Sequence, residues 1–393
     1  MLNKLSVYSL LFAVKRGARL VILAAVGGLL LFISSCETPE KVLKSRDLMY
    51  KEAKAREWYN KKEYFKCIPV LEELIGLMKG RQSVEELYYM YCMANYKQGD
   101  YMISAYHFKN FYDQYTANTH AEECLYMYAK SYQMLSPKPE LDQTYTYKAL
   151  EAYAFFLSMY PDNNYVKETN EAVQKLRRKL EKKALGTAEL YYKTGNYKAA
   201  ATSYENMLRD FPDIEEVEKV SFMIVKSNLK YADNSIPTRK AERFNHVVDS
   251  YNNFKYKFST SKYLEEAKKY EMEAHYLAVK GAFEGAEYTN LADREHQYLV
   301  AFNEVKKHEP FITDEKQKKN LKNWVEKGHF AIVKSYYQLS EERKSTQKLP
   351  VLEKTVKTYY TFVDLFPNSR YLHEAEKMFN NASEQIKKLK SNG

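Results

Sequence analysis

Past its N-terminal end the chain repeats one pattern: apolar positions at helical spacing over several turns, a short polar break, then a second helical run. The clearest instance is AELYYKTGNYKAAATSYENMLRDFP, Ala188 to Pro212. Ala188 and Ala200 are small enough to let two helices approach closely, and Tyr191 and Tyr204 supply rings to fill the space beside them. Gly195 permits a tight turn between the helices, and Pro212 stops the second one. The spacing predicts a helical hairpin whose apolar face needs a neighbour to cover it.

This register resembles the tetratricopeptide repeat. Other stretches carry it with losses. Ala55 and Trp58 lead to Tyr64, Cys67 and Leu71, with Lys62 in place of the turn glycine. Cys92, Gly99, Tyr101, Ser104 and Phe108 form a second unit, with Thr116 where the proline belongs. Ala129 and Tyr132 lead to Ala149, Tyr153 and Pro161 across a turn lengthened by SPKPELDQ. The helix ends rhyme as YDQYT, LSMYP, LRDFP, YKFST and VDLFP. The expected fold is all-α, a tetratricopeptide-like α-solenoid of stacked helix pairs forming a right-handed superhelix, because each pair buries its apolar face only against its neighbours.

Between Tyr263 and Trp324 the register weakens. Helical periodicity continues through KYLEEAKKYEMEAHYLAVKGA, and GAEYTNLADREHQYLVAFNEV is expected to form another helix. A final pair is expected at Trp324 to Leu339 and Pro350 to Phe366, with Pro350 at the first helical position, where its missing N–H costs nothing. The organisation read from the sequence is a signal segment at 1–35, a linker at 36–44, regular repeats at 45–270, and less regular helical repeats with a basic tail at 271–393.

The first segment has a different character. Lys15, Arg16 and Arg19 precede an unbroken apolar run, Leu20 to Ile33, shorter than the ~20 residues a membrane span needs. A basic n-region, a short apolar core and small residues at a cleavage point form a secretory signal. Ile33-Ser34-Ser35-Cys36 resembles the lipobox of bacterial lipoproteins, in which the cysteine is lipidated and becomes residue one. Cys36 is therefore the expected lipidation site, and two or more acyl chains hold a domain stably at a bilayer. Glu37, where an Asp would retain a lipoprotein in the inner membrane, points to the outer membrane, on its periplasmic face.

Composition sharpens this reading. The formal charge is +10, and removing the four basic residues of the signal leaves about +6. Export, and the lack of a dense Lys/Arg block, exclude nucleic acid as a partner. Glycine (12) and proline (10) are scarce while tyrosine is abundant (37), as suits a helical chain. Cys67, Cys92 and Cys124 read as small apolar fillers, with at most one disulfide among them. There is no HExxH, P-loop, GxSxG or GxGxxG, the histidines are scattered, and the carboxylates follow charged helix surfaces. The expectation is a protein that is not an enzyme and has no cofactor beyond the covalent lipid on Cys36.

Stacked helix pairs present a groove lined by the first helix of each pair. Groove positions in the repeat register are Arg56 and Tyr59, Met93 and Tyr96, Lys130 and Gln133, and Glu189 and Tyr192; one position further lie Asn60, Lys97, Met134 and Lys193. Aromatic platforms beside basic heads suit an extended peptide, with rings holding apolar side chains and cations receiving a terminal carboxylate. The alternative is that these tyrosines only pack between superhelical turns.

A lipobox followed by such units, with FPNSRYLHEA at Phe366 to Ala375 and YKFSTSKYLEEA at Tyr256 to Ala267, is similar to the BamD family of outer-membrane barrel-assembly lipoproteins. The resemblance implies a non-catalytic periplasmic subunit that engages a BamA-type barrel insertase and the C-terminal segments of unfolded outer-membrane proteins. The chain is longer than that family's usual pattern of about five repeats. A general tetratricopeptide lipoprotein scaffold for secretion, motility or envelope maintenance is the other reading. A glycan-binding lipoprotein is disfavoured by the scarcity of tryptophan, with Trp58 and Trp324 alone.

Overall fold

The computed structural model describes residues 38–391; the signal segment and Cys36 lie outside them. Among the described residues the regular structure is helical throughout. A short α1 (Pro39–Leu43) precedes the pairs α2 (Leu48–Asn60) with α3 (Tyr64–Leu77), α4 (Ser83–Gln98) with α5 (Tyr101–Gln114), and α6 (Ala121–Leu135) with α7 (Thr144–Met159). The long α8 (Val166–Lys193) leads to α9 (Tyr197–Asp210). Then come α10 (Val217–Asp233) with α11 (Pro237–Lys257), and α12 (Leu264–Glu287) with α13 (Arg294–His308). A 3-10 turn (Glu309–Phe311), α14 (Glu315–Glu342), α15 (Ser345–Leu365) and α16 (Leu372–Ser391) complete the chain. It packs as two compact units, one ending at Lys179 and the other starting at Leu180, inside α8.

Three hairpin turns are built alike. Gly99 and Gly195 hold φ at 96° and 79°, and Lys62 holds 61°, the only positive φ at a non-glycine among the described residues. Past each of them an N–H reaches back over the turn: Glu63 to the Trp58 carbonyl, Asp100 to Asn95, and Asn196 to Tyr191, at 2.9, 3.0 and 2.9 Å. These bonds satisfy carbonyls that the helix end leaves unpaired, in the Schellman arrangement. Lys62 therefore adopts the backbone that its missing glycine would have supplied, at a cost of about 1–2 kcal/mol.

The rhyming helix ends are one backbone conformation. Tyr115, Tyr160, Phe211, Phe258 and Phe366 all cap their helices with φ between −128° and −135°. Three residues beyond four of these caps stands Asn118, Asn163, Ser261 or Ser369, which clamps the linker onto the preceding first helix. Asn118 donates to Glu85 at 2.6 Å, Asn163 to Glu122 at 2.5 Å, Ser369 to Glu326 at 2.5 Å, and Ser261 to Glu218. Two residues further a ring stacks on a ring of that same helix: His120 on Tyr89, Tyr165 on Tyr126, Tyr263 on Phe222 and Tyr371 on Phe330, with centroids 3.9, 4.2, 4.8 and 4.7 Å apart. In the last three junctions an ion pair adds another rung: Lys130–Glu168 (2.9 Å), Lys226–Glu266 (3.5 Å) and Lys334–Glu374 (3.1 Å). After Phe211 the corresponding residue is Ile214, which is buried and makes an apolar contact instead.

Inside the units the small residues of the register sit where the pattern put them: Ala55, Cys92, Ala129, Ala149, Ala188 and Ala200 are all fully buried. Cys67, Cys92 and Cys124 are free and buried, and burial pushes the Cys67 thiol up to about 12.

Three expectations are corrected. Tyr191 is 38% exposed and fills no gap; it lies on α8, where the second unit begins and no earlier helix of that unit covers it. The segment GAEYTNLADREHQYLVAFNEV is broken at residues 288–293, because Asn290 and Asp293 cap one another: the Asp293 N–H donates to Asn290 Oδ1 at 3.0 Å, and Asn290 Nδ2 to Asp293 Oδ2 at 2.8 Å. The last pair starts earlier than expected. Asp314 caps α14 by accepting from the Gln317 N–H at 2.7 Å, and Pro350 lies in the second turn of α15 instead of opening it.

Candidate functional site

The groove tyrosines have a structural duty. Tyr59, Tyr96 and Tyr192 stand three residues before the left-handed turn residue, and each packs edge-on against the tyrosine that opens the next helix. Tyr59 meets Tyr64 at 5.7 Å and 74°, while Tyr96 with Tyr101 and Tyr192 with Tyr197 both lie at 5.3 Å and 67°. Such edge-to-face pairs contribute about 0.5–1.5 kcal/mol beyond area burial. The rings are half-buried, and burial pushes the Tyr59 phenol up to about 12, with Tyr96 and Tyr192 shifted the same way. They brace the hairpins and present only part of each face outward.

The polar candidates divide. Asn60, Lys97 and Lys193 are exposed. Arg56 is held by Glu52 at 2.9 Å, with its other nitrogen 3.4 Å from Met90 Sδ. Lys130 is a junction rung, bonded to Glu168 at 2.9 Å and to the Tyr126 hydroxyl at 3.0 Å. Met93 occupies the corresponding place on α4, where the Tyr89 hydroxyl donates to Glu123 instead. Lys130 and Met93 thus belong to the helix stack, while Asn60 and Lys97 leave their heads in solvent.

In the second unit the candidates converge. Tyr192, Lys193 and Glu189 line a cavity of about 200 Å³ between α8, α9 and α10, together with Tyr204, Lys219 and an apolar wall that includes Leu185 and Met223. Tyr204 is fully buried, and its hydroxyl has no hydrogen-bond partner. Burial, with the Glu189 carboxylate and Tyr192 nearby, pushes this phenol up to about 12, so it keeps its proton and is available as a donor. Lys219 Nζ stands 3.9 Å from Glu189 Oε1 on the rim. A buried donor without an acceptor carries a penalty of about 1–3 kcal/mol. The arrangement suits an apolar side chain flanked by a carbonyl or carboxylate oxygen. Sequence reasoning located three of these residues but assigned Tyr204 to packing and passed over Lys219, which lies on a different helix.

Among the described residues no group of three or more His, Cys, Asp or Glu is arranged to hold a metal ion, and no helix is long and apolar enough to cross a membrane.

A curated relative, the putative outer membrane protein assembly factor BamD of Aquifex aeolicus (strain VF5), is 25% identical over 169 residues, covering 43% of this chain and 54% of the relative. The chain thus matches about half the length of that relative. Among solved structures, the TPR2AB domain of yeast Sti1 in its pHSP90 complex is 12% identical, covering 72% of this chain and 98% of that one, with a TM-score of 0.28. A tetratricopeptide repeat protein from Parabacteroides merdae is 11% identical over 85% of this chain and 99% of its own, with a TM-score of 0.24. The model of the YfiO family, described as outer membrane lipoprotein, matches residues 44–241, half of the sequence and the part that holds the hairpin turns, the first junction clamps and the α8–α10 cavity. The chain belongs to the YfiO family of outer membrane lipoproteins.

Proposed function

We propose that this protein is a lipid-anchored, non-catalytic subunit of the machinery that assembles β-barrel proteins in the outer membrane. Cys36 carries the lipid and holds the chain on the periplasmic face. Its helical pairs bind the barrel insertase and the C-terminal segments of unfolded barrel substrates. Membership of the outer membrane lipoprotein family supports the general role. The observation that carries the binding mode is the α8–α10 cavity, where the unpartnered Tyr204 hydroxyl, an apolar wall and the Lys193 and Lys219 cations lie together. An apolar side chain enters, its neighbouring carboxylate accepts from Tyr204, and the lysines neutralise the charge.

Titration with a labelled C-terminal segment of an outer-membrane barrel tests this. The expected result is saturable binding, weakened about tenfold, or ~1.4 kcal/mol, by Tyr204→Phe or by amidating the peptide's terminus. Exchange of Tyr59, Tyr96 and Lys97 for alanine examines the first unit in the same assay. If neither set of changes alters affinity, the groove reading is wrong. Co-purification from detergent-solubilised outer membranes tests the insertase; its absence would favour a scaffold for another envelope system.

A further inference from the structure

Where the repeat register weakens, the second unit brings four ionisable side chains into one chain of contacts, the two histidines buried and the two glutamates partly buried. Glu271 and His275 lie one turn apart on α12, and Glu304 and His308 lie one turn apart on α13. His275 Nδ1 is 2.7 Å from His308 Nδ1; His275 Nε2 is 2.9 Å from Glu271 Oε1, and His308 Nε2 is 3.0 Å from Glu304 Oε2. Both rings are buried, at 3% and 0% exposure. Phe311 of the 3-10 turn stacks flat on His275, with centroids 4.4 Å apart. From α11, Asn245 donates to Glu304 at 3.0 Å and accepts from Lys307 at 2.8 Å, and burial, with the charge of Glu271 adding to it, pushes the Tyr251 phenol up.

Each of the three contacts needs one proton between its two atoms. Two ionised carboxylates and two neutral rings offer only two, so the geometry requires a third proton held among the four groups, with one proton shared between the Nδ1 atoms. With a fourth, two N–H groups would point at one another across 2.7 Å. With only two, either the Nδ1 atoms would oppose lone pairs or a ring nitrogen would face a carboxylate bare. Both alternatives leave a buried polar contact unsatisfied, which is costly at low local dielectric.

We propose that Glu271, His275, His308 and Glu304 form a proton-counting lock that holds the open end of the α12–α13 hairpin only within a window around neutral pH. The site lies opposite the 288–293 turn, where α13 passes into the 3-10 turn and α14. Its state therefore governs how firmly the second unit's irregular segment is fixed.

The sign follows from proton counts in the folded and unfolded chains. Above about pH 6.5 the unfolded histidines are mostly neutral, whereas the lock holds an extra proton, so stability falls as pH rises. Below that point both unfolded rings bind a proton and the lock holds one fewer, so stability falls as pH drops. The hydrogen bond from His308 also holds the Glu304 carboxyl below its usual range, a contribution lost on the same acid side.

The test uses the full mature chain labelled with ¹⁵N-histidine. A through-bond coupling between the two Nδ1 nuclei at neutral pH, lost on both the acid and the alkaline side, is the expected result. Urea midpoints across the same range should trace a maximum that flattens in the double variant His275→Leu/His308→Leu. If that variant does not fold, the coupling in the unaltered protein decides alone. Two rings that titrate independently with no coupling would overturn the lock, and so would a double-variant profile that superimposes on the original. Peptide binding at the α8–α10 cavity is read separately and is unaffected by either outcome.

Discussion

The α4–α5 and α12–α13 hairpins are both helix pairs closed on themselves, yet they are held by opposite means. The first turns at Gly99 in the left-handed region and braces the turn with Tyr96 against Tyr101. Nothing crowds that glycine; only its backbone angle matters. The second pair turns through the mutually capped Asn290 and Asp293 and joins its far end with two histidines. Its α12 glycines serve proximity: a Cβ on Gly281 would lie 2.6 Å from Lys240 Cβ and 3.1 Å from the Ala241 nitrogen of α11. The same residue type thus supplies conformation in one hairpin and space in the other.

Four substitutions would break or sharpen this contrast. Gly281→Ala should cost the most, about 2 kcal/mol, because the intruding methyl meets a Cβ and backbone that cannot swing aside; urea unfolding of the full mature chain measures it. Gly99→Ala should lose about 1–2 kcal/mol from backbone strain alone, with the α5 packing unchanged in amide exchange. Lys62→Gly should move the opposite way, gaining about 1 kcal/mol by relieving the strained turn, and a lower urea midpoint would refute the account of that turn. Lys130→Met, which copies the Met93 junction, should cost less than about 1 kcal/mol and become neutral as salt is raised. A larger, salt-insensitive loss would mean that the junction depends on its ion pair more than on the stacked Tyr126 and Tyr165 rings.

Much of the fold is legible because it is local. Ala55, Ala188 and Ala200 are buried as the helical period required, and the rhyming ends YDQYT to VDLFP all place an aromatic at the same capping position. The junction clamps were hidden, since Asn163 meets Glu122, and Ser369 meets Glu326, across a whole hairpin of intervening chain. The groove candidates were half legible: Lys130 is taken up by Glu168, and only in the second unit do the candidates gather, around Tyr204. The buried histidines are not legible in this way, because scattered along the chain they give no sign that two of them meet. Their local mark is a Glu one turn before a His, occurring twice, in the segment where the repeat pattern fades.

What the residues alone determined was the run of paired helices, their turns and their stops. These follow from periodicity, glycine and proline stereochemistry and short-range charge, all of which act within a few residues. Only the packed structure decided which tyrosines brace a turn, which lysine completes a junction, where a donor is left without an acceptor and which two histidines meet. Those outcomes depend on distances between atoms far apart in the chain, and such distances exist only once the helices have settled against one another.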